Sequence, residues 1–444
     1  MSRFIELLPP FVFGILVSIS MIFYFNLGPM KNNSDYVRVL GSVIQIDQGA
    51  DNSACKVPQS LSFNVSSTMA IFFSTVAALV VKVFGFDCLT ENSIFVALVL
   101  IYLLGLGIYL KRFGFTIEVA LMILPYLVFP QILKSYYEEA VILSLVPWMA
   151  VGLRNLFVSR KSGLFAISCV LFFYTKAQMI AVLPLALIAL YLGYRNGKLA
   201  WKNFAIALVI TSSALLMNLS KSGFSTVNSY NRYFNGIGWS VQEVGEWPAF
   251  NYSDRQEYFK QNQMALQKLT SGLEPIDGFS LMGTTVWPDG MRFFLKAGIV
   301  TNHEYIQRFG LSAFLNALVS SPDILLNIAT QSIKVALVSD YNLSYLSSGL
   351  GSSDIYYYLK RPIAEWYGII FFAHLLLFFS LKRIPSRWEI LIAALYLALP
   401  LAIVFGDGYA EFEKHMVPFM MSAPLYYLTV RLIGQQRANH IEPT

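Results

Sequence analysis

Ser93-Ile94-Phe95-Val96-Ala97-Leu98-Val99-Leu100-Ile101-Tyr102-Leu103-Leu104-Gly105-Leu106-Gly107-Ile108-Tyr109-Leu110 carries no charge and is closed by Lys111-Arg112. As a helix rising about 1.5 Å per residue, these residues cover about 27 Å, close to the ~30 Å of bilayer hydrocarbon. Comparable apolar runs lie at roughly 10–27, 68–86, 116–134, 139–153, 163–175, 178–193, 203–217, 365–381, 389–404 and 416–431. The whole chain agrees. Of 444 residues 56% are hydrophobic and only 13% charged, and mean hydropathy is +0.56. A soluble fold with so few charges could not cover its own surface. The sequence therefore reads as an all-α polytopic membrane protein.

Charge sets the orientation. Arg3, Lys111-Arg112, Arg154 with Arg160-Lys161, Arg195 with Lys198 and Lys202, Lys382-Arg383 with Arg387, and Arg431 with Arg437 share their segments with only Glu6, Glu389 and Glu442. The positive-inside rule puts all of them in the cytoplasm. Eleven full crossings would alternate these clusters between the two sides. Taking 68–86, which contains Lys82, as a partly inserted helix on the outer face restores agreement. About ten crossings with both termini inside are then expected, and the first run is an uncleaved anchor. The basic residues cluster between apolar runs and form no basic domain, so no nucleic-acid partner is expected.

Three regions follow: 1–217, a transmembrane module with a first outer loop at 28–92; 218–364, a large outer loop; and 365–444, C-terminal spans with a short cytoplasmic tail. Within the large loop, 311–338 alternates apolar and polar residues around Ser320-Ser321-Pro322, as amphipathic helices on a membrane surface do. Cys55 and Cys88 both fall outside, as a disulfide or as free thiols.

This topology gathers polar residues at one membrane surface. They are Asn33-Ser34-Asp35-Tyr36-Val37-Arg38, Ser135-Tyr136-Tyr137-Glu138-Glu139, Tyr174-Thr175-Lys176-Ala177-Gln178, and the run from Gly406 through Asp407, Tyr409 and Glu411 to Lys414-His415. Ionisable groups at membrane depth are costly and mark function. A carboxylate can take a proton from an acceptor hydroxyl, and fixed cations can stabilise a leaving phosphate. No GxxxxGK[ST] or GxGxxG loop accompanies them, which favours a lipid-carried donor over a nucleotide.

On these motifs the chain resembles the integral-membrane C-type glycosyltransferases, and within them the phage-borne, serotype-converting glucosyltransferases that decorate O-antigen in the periplasm of Gram-negative bacteria. The resemblance is carried by Ser34-Asp35-x-x-Arg38, Tyr137-x-Glu139, Lys176-x-Gln178, Ser220-Lys221-Ser222-Gly223 and Gly406-x-Gly408-Tyr409-x-x-x-x-Lys414-His415. It implies transfer of glucose, or a similar hexose, from undecaprenyl phosphate to O-antigen of lipopolysaccharide, by inversion at the periplasmic face of the inner membrane. It further implies a small flippase and a donor-loading glycosyltransferase as partners. Asp35 and Glu139 would be the catalytic carboxylates, with Asp35 as general base. Lys414, His415, Lys176 and Arg38 would hold the donor phosphate. Asp407, Glu411, Glu138, Gln178 and Tyr409 would orient the sugar or a metal. The resemblance leaves a divalent metal open, because C-type relatives differ in metal use.

Plainer roles exist for the same residues. Asp35 suits a helix N-cap, Glu138 and Glu139 suit a helix first turn, and Lys176 and Lys414 suit snorkelling to headgroups. Two other functions compete. A flippase or transporter of lipid-linked glycans would place charges near mid-membrane in broken helices, often in repeated halves. An O-antigen polymerase would use outer-loop arginines, for which Arg232, Arg255, Arg292 and Arg308 are available.

Overall fold

The computed structural model describes residues 2–27, 68–79, 83, 91–134, 137–197, 199–221, 315, 319, 322–339, 341, 363–379, 385–407 and 412–441. Among the described residues there are helices and no strands. In chain order they are α1 (Ser2–Asn26), α2 (Thr68–Ala78), α3 (Glu91–Phe113), α4 (Ile117–Val128), the short α5 (Pro130–Leu133), α6 (Glu138–Val158), α7 (Gly163–Phe173), a 3-10 turn (Ala177–Val182), α8 (Leu183–Arg195), α9 (Trp201–Lys221), α10 (Pro322–Val338), α11 (Tyr367–Phe379), α12 (Arg387–Leu397), α13 (Leu399–Asp407) and α14 (Phe412–Ile441).

Five of these segments are long and apolar enough to cross a membrane: Pro9–Asn26, Asn92–Phe113, Glu138–Val158, Gln178–Arg195 and His415–Gln435. Arg387–Leu397 with Leu399–Gly406 makes a sixth if the two count as one broken span. Several expected crossings are shorter as helices. The run 116–134 is divided at Phe129-Pro130: the Phe129 N–H still bonds back to the Pro125 carbonyl at 2.9 Å, and Pro130, which lacks an N–H, begins the next short helix. The run 68–86 contains the 11-residue α2, about 16 Å long by helical rise. Residues 80–82 and 84–90 lie outside the described residues.

The chain divides into two compact units, one of Met1–Leu219, Asp340–Tyr396 and Val417–Thr444, the other of Ser220–Ser339 and Leu397–Met416. In the first, α6 is the central helix. It packs against α3 and α7 most extensively, and also touches α2, α4, α5 and α8. The apolar window of α6 is 83% buried, whereas that of α1 is only 17% buried and turns Phe11, Ile15, Met21 and Phe25 outward. Lipid attracts helices together little, so close packing and interhelical hydrogen bonds must hold this core. Ser144 Oγ donates to the Leu98 carbonyl at 3.1 Å, and Trp148 Nε1 donates to that of Ile101 at 2.8 Å. Tyr102 donates to the Met122 carbonyl at 2.9 Å and stacks on Tyr126 at 4.5 Å between ring centres, while the Tyr126 hydroxyl bonds Ser20. Gly152 lets α7 approach closely, because a Cβ there would stand 2.7 Å from the Phe165 Cα.

In the second unit α10 packs on α13. Ile328, Ser332, Val335, Ala336 and Ser339 are buried, whereas Leu325, Leu326, Thr330 and Lys334 are exposed. The buried positions recur at helical spacing, so α10 is amphipathic.

Candidate functional site

One end of the first unit collects polar side chains from four helix termini. Glu139 lies in the first turn of α6, behind Tyr137 in extended conformation at the N-cap. A carboxylate there is favoured by the positive end of the helix dipole. Lys176 is also extended (φ −144°, ψ 135°) and caps the 3-10 turn, its carbonyl accepting from the Met179 N–H at 3.0 Å. The turn before it is closed by α7: the Tyr174 N–H donates to the Val170 carbonyl at 2.9 Å, and Thr175 Oγ1 to that of Leu171 at 2.7 Å. This backbone aims Lys176 at α6. Its Nζ lies 2.5 Å from Glu139 Oε1, with the Glu139 side chain 2% exposed and that of Lys176 11%. In so dry a place each charge offsets the desolvation of the other.

Neighbouring elements converge on the same end. Thr68, the first residue of α2, donates from Oγ1 to the Leu171 carbonyl at 2.6 Å and from its N–H to that of Tyr174 at 3.3 Å. Lys134, just after α5, is buried and donates from Nζ to the Leu27 carbonyl at the close of α1. Gln178 buries its Oε1 without a hydrogen-bond partner, an acceptor left open beside the ion pair. Glu138, next to Glu139, is half-buried. The ensemble therefore holds two ammonium groups, two carboxylates and an amide at the ends of apolar helices. Ammonium groups so held can receive a phosphate, and the amide can receive a sugar hydroxyl.

The opposite end of the unit differs in kind. Arg154 stands in the last turns of α6, about 22 Å along the helix from Glu139. It donates from Nη1 to the Tyr109 hydroxyl at 2.9 Å and lies 4.5 Å from the Phe113 ring centre. Arg431 of α14 places Nη1 2.7 and 2.8 Å from the two oxygens of Glu118, which is fully buried in the first turn of α4. At the start of α12 the Ser386 N–H donates to Glu389 Oε2 at 2.7 Å, as in a capping box.

Of the residues singled out in the sequence, Glu138, Glu139, Lys176 and Gln178 are brought to one end of the first unit. Asp35, Arg38, Tyr409 and Glu411 lie outside the described residues, as do the side chains of Asp407 and Lys414 and both Cys55 and Cys88. His415 is buried in the second unit. Sequence reasoning passed over Lys134, a cation hidden at the end of an apolar run, and Glu118, whose partner is 313 residues away. Among the described residues no group of three or more His, Cys, Asp or Glu stands together to hold a metal. Comparison with protein-family models, with curated proteins and with solved structures finds no match to this chain.

Proposed function

We propose that this chain is a membrane glycosyltransferase of C-type architecture, with about ten crossings, that moves glucose or a similar hexose from a polyprenyl phosphate to O-antigen on the outer face. The buried Glu139–Lys176 pair carries this reading. It sits at the end of α6 remote from Arg154, and Lys134 precedes Glu139 by five residues in sequence. A lysine already desolvated and oriented at a membrane surface suits an anionic phosphate, because little reorganisation remains to be done when the charge arrives.

In this scheme Asp35 takes the proton of an acceptor hydroxyl, whose oxygen attacks the anomeric carbon. The bond from that carbon to the phosphate oxygen breaks, and polyprenyl phosphate departs with inversion at the sugar. Lys176, with Arg38, stabilises the phosphate charge. Glu139 holds Lys176 in place, while Gln178 and Glu138 orient sugar hydroxyls.

The test is expression in a host that makes polyprenyl-phosphate glucose, followed by analysis of its lipopolysaccharide for added hexose. Addition is expected with the parent chain and a loss of at least ten-fold with Asp35→Asn or Lys176→Met at equal protein level. A change in chain length without decoration would instead identify a polymerase. Neither change would refute transfer to O-antigen.

A further inference from the structure

A second basic site lies at the end of the first unit away from Glu139, in the turns between α6 and α7 and between α8 and α9. The two turns close alike. After α6, the Ser159 and Lys161 N–H groups both donate to the Asn155 carbonyl, at 2.9 and 3.3 Å. After α8, the Asn196 N–H donates to the Leu192 carbonyl at 3.0 Å, and the Leu199 N–H to that of Gly193 at 3.0 Å. Among the described residues, each reversal has one in the left-handed region: Gly197 (φ 67°) in the second turn, but Arg160 (φ 58°) in the first. Glycine occupies such a conformation without strain and arginine does not. The strained position holds a charged side chain, and strain retained in a turn points to a use for that side chain.

Arg160 and Arg195 line one open groove of about 800 Å³, with Tyr194, Asn203 and Trp201. Lys161 and Lys202 are exposed beside it, and no acidic side chain lines it among the described residues. Trp201 is 64% exposed, yet it is fixed in place by Tyr194 and Phe204, at 5.5 and 5.6 Å between ring centres. Arg195 ends one of the segments able to cross a membrane, so the groove stands at the level where hydrocarbon gives way to headgroups. A tryptophan and a tyrosine at that level, in one groove with two arginines, match the two parts of a phospholipid: acyl–glycerol boundary and phosphate.

We infer that this groove binds the headgroup of an anionic phospholipid, with Arg160 and Arg195 on its phosphate and Trp201 against its glycerol region. The site is independent of sugar transfer. Its test uses the full-length chain purified in a zwitterionic detergent, titrated with phosphatidylglycerol, phosphatidylcholine or glycerol phosphate and followed by thermal unfolding and native mass spectrometry. Phosphatidylglycerol should raise the melting temperature and remain bound, while the other two should do neither. Arg160→Gly and Arg195→Gln should each weaken that binding about five-fold. Without lipid, Arg160→Gly should melt no lower than the parent, because glycine fits the turn. Equal stabilisation by phosphatidylcholine, or by glycerol phosphate, would overturn the inference, as would unchanged phosphatidylglycerol binding in both variants.

Discussion

Lys176 and Glu139 stand 37 residues apart in sequence, and their side chains meet at 2.5 Å, where α6 begins and the chain leaves α7. Neither partner is dispensable alone. Lys176→Met would leave a buried carboxylate without its cation, and Glu139→Gln would leave an ammonium group without its anion. Each single change should cost about 3–5 kcal/mol of stability. The double variant should cost much less than their sum, since it removes both charges together. Thermal unfolding of the four proteins in one detergent measures the coupling, and additive losses would show that the contact is not energetically formed.

Arg431 and Glu118 make the corresponding clamp at the other end, joining α14 to α4. Because Glu118 is fully buried and Arg431 about one-third exposed, the two losses should be unequal in kind. Arg431→Ala leaves a buried charge and should destabilise by about 3 kcal/mol or more. Glu118→Gln leaves an arginine that can reach water and should cost less, about 1–2 kcal/mol. Limited proteolysis in detergent, with melting temperatures, ranks the two.

The contact between α6 and α7 makes a steric prediction. A methyl group at Gly152 would meet the Phe165 backbone at 2.7 and 2.9 Å, and backbone cannot rotate aside. Gly152→Ala should therefore lower stability by about 1–3 kcal/mol. Gly14→Ala is the control: nothing lies within 4 Å of its added methyl, and alanine favours a helix, so it should be neutral or stabilising by up to about 1 kcal/mol. At Gly105 the obstacle is the Trp148 side chain at 2.8 Å, which already donates to Ile101, so alanine there should disturb that bond as well.

The helical class was legible because uncharged runs such as 93–110 can satisfy their backbone in lipid only as helices. Breaks were harder to see. Phe129-Pro130 interrupts a run whose hydropathy never falls, so composition averages across it, whereas the proline acts at one peptide unit. The grouping of Glu139 with Lys176 could be anticipated because both lie where an apolar run meets a polar turn, and crossing parity assigns those turns to one side. Glu118 could not be paired in this way. Counting charge by segment enters Arg431 as a cation of its own terminus and overlooks one acid at the mouth of a span. Only packing joins residues 313 apart. The left-handed Arg160 was equally hidden, since a backbone angle carries no signature when the residue is not glycine.

Sidedness yields the last prediction. Asn26 ends α1 next to Leu27, whose carbonyl receives Lys134, whereas Lys161 follows the far end of α6, and both side chains are exposed. In the orientation proposed from the clustering of Lys and Arg, the end near Lys161 faces the cytoplasm. With Cys55, Cys88 and Cys169 replaced by alanine, Asn26→Cys should react with a membrane-impermeant maleimide in intact spheroplasts. Lys161→Cys should react only after lysis. The reverse pattern would turn the chain over and put the Glu139–Lys176 pair in the cytoplasm, where a periplasmic sugar acceptor could not reach it. Labelling of both from outside would mean that the two ends of α6 share one side of the bilayer. A helix of 21 residues with an 83% buried apolar window would then lie within the protein without crossing the membrane, and the positive-inside assignment would lose its basis.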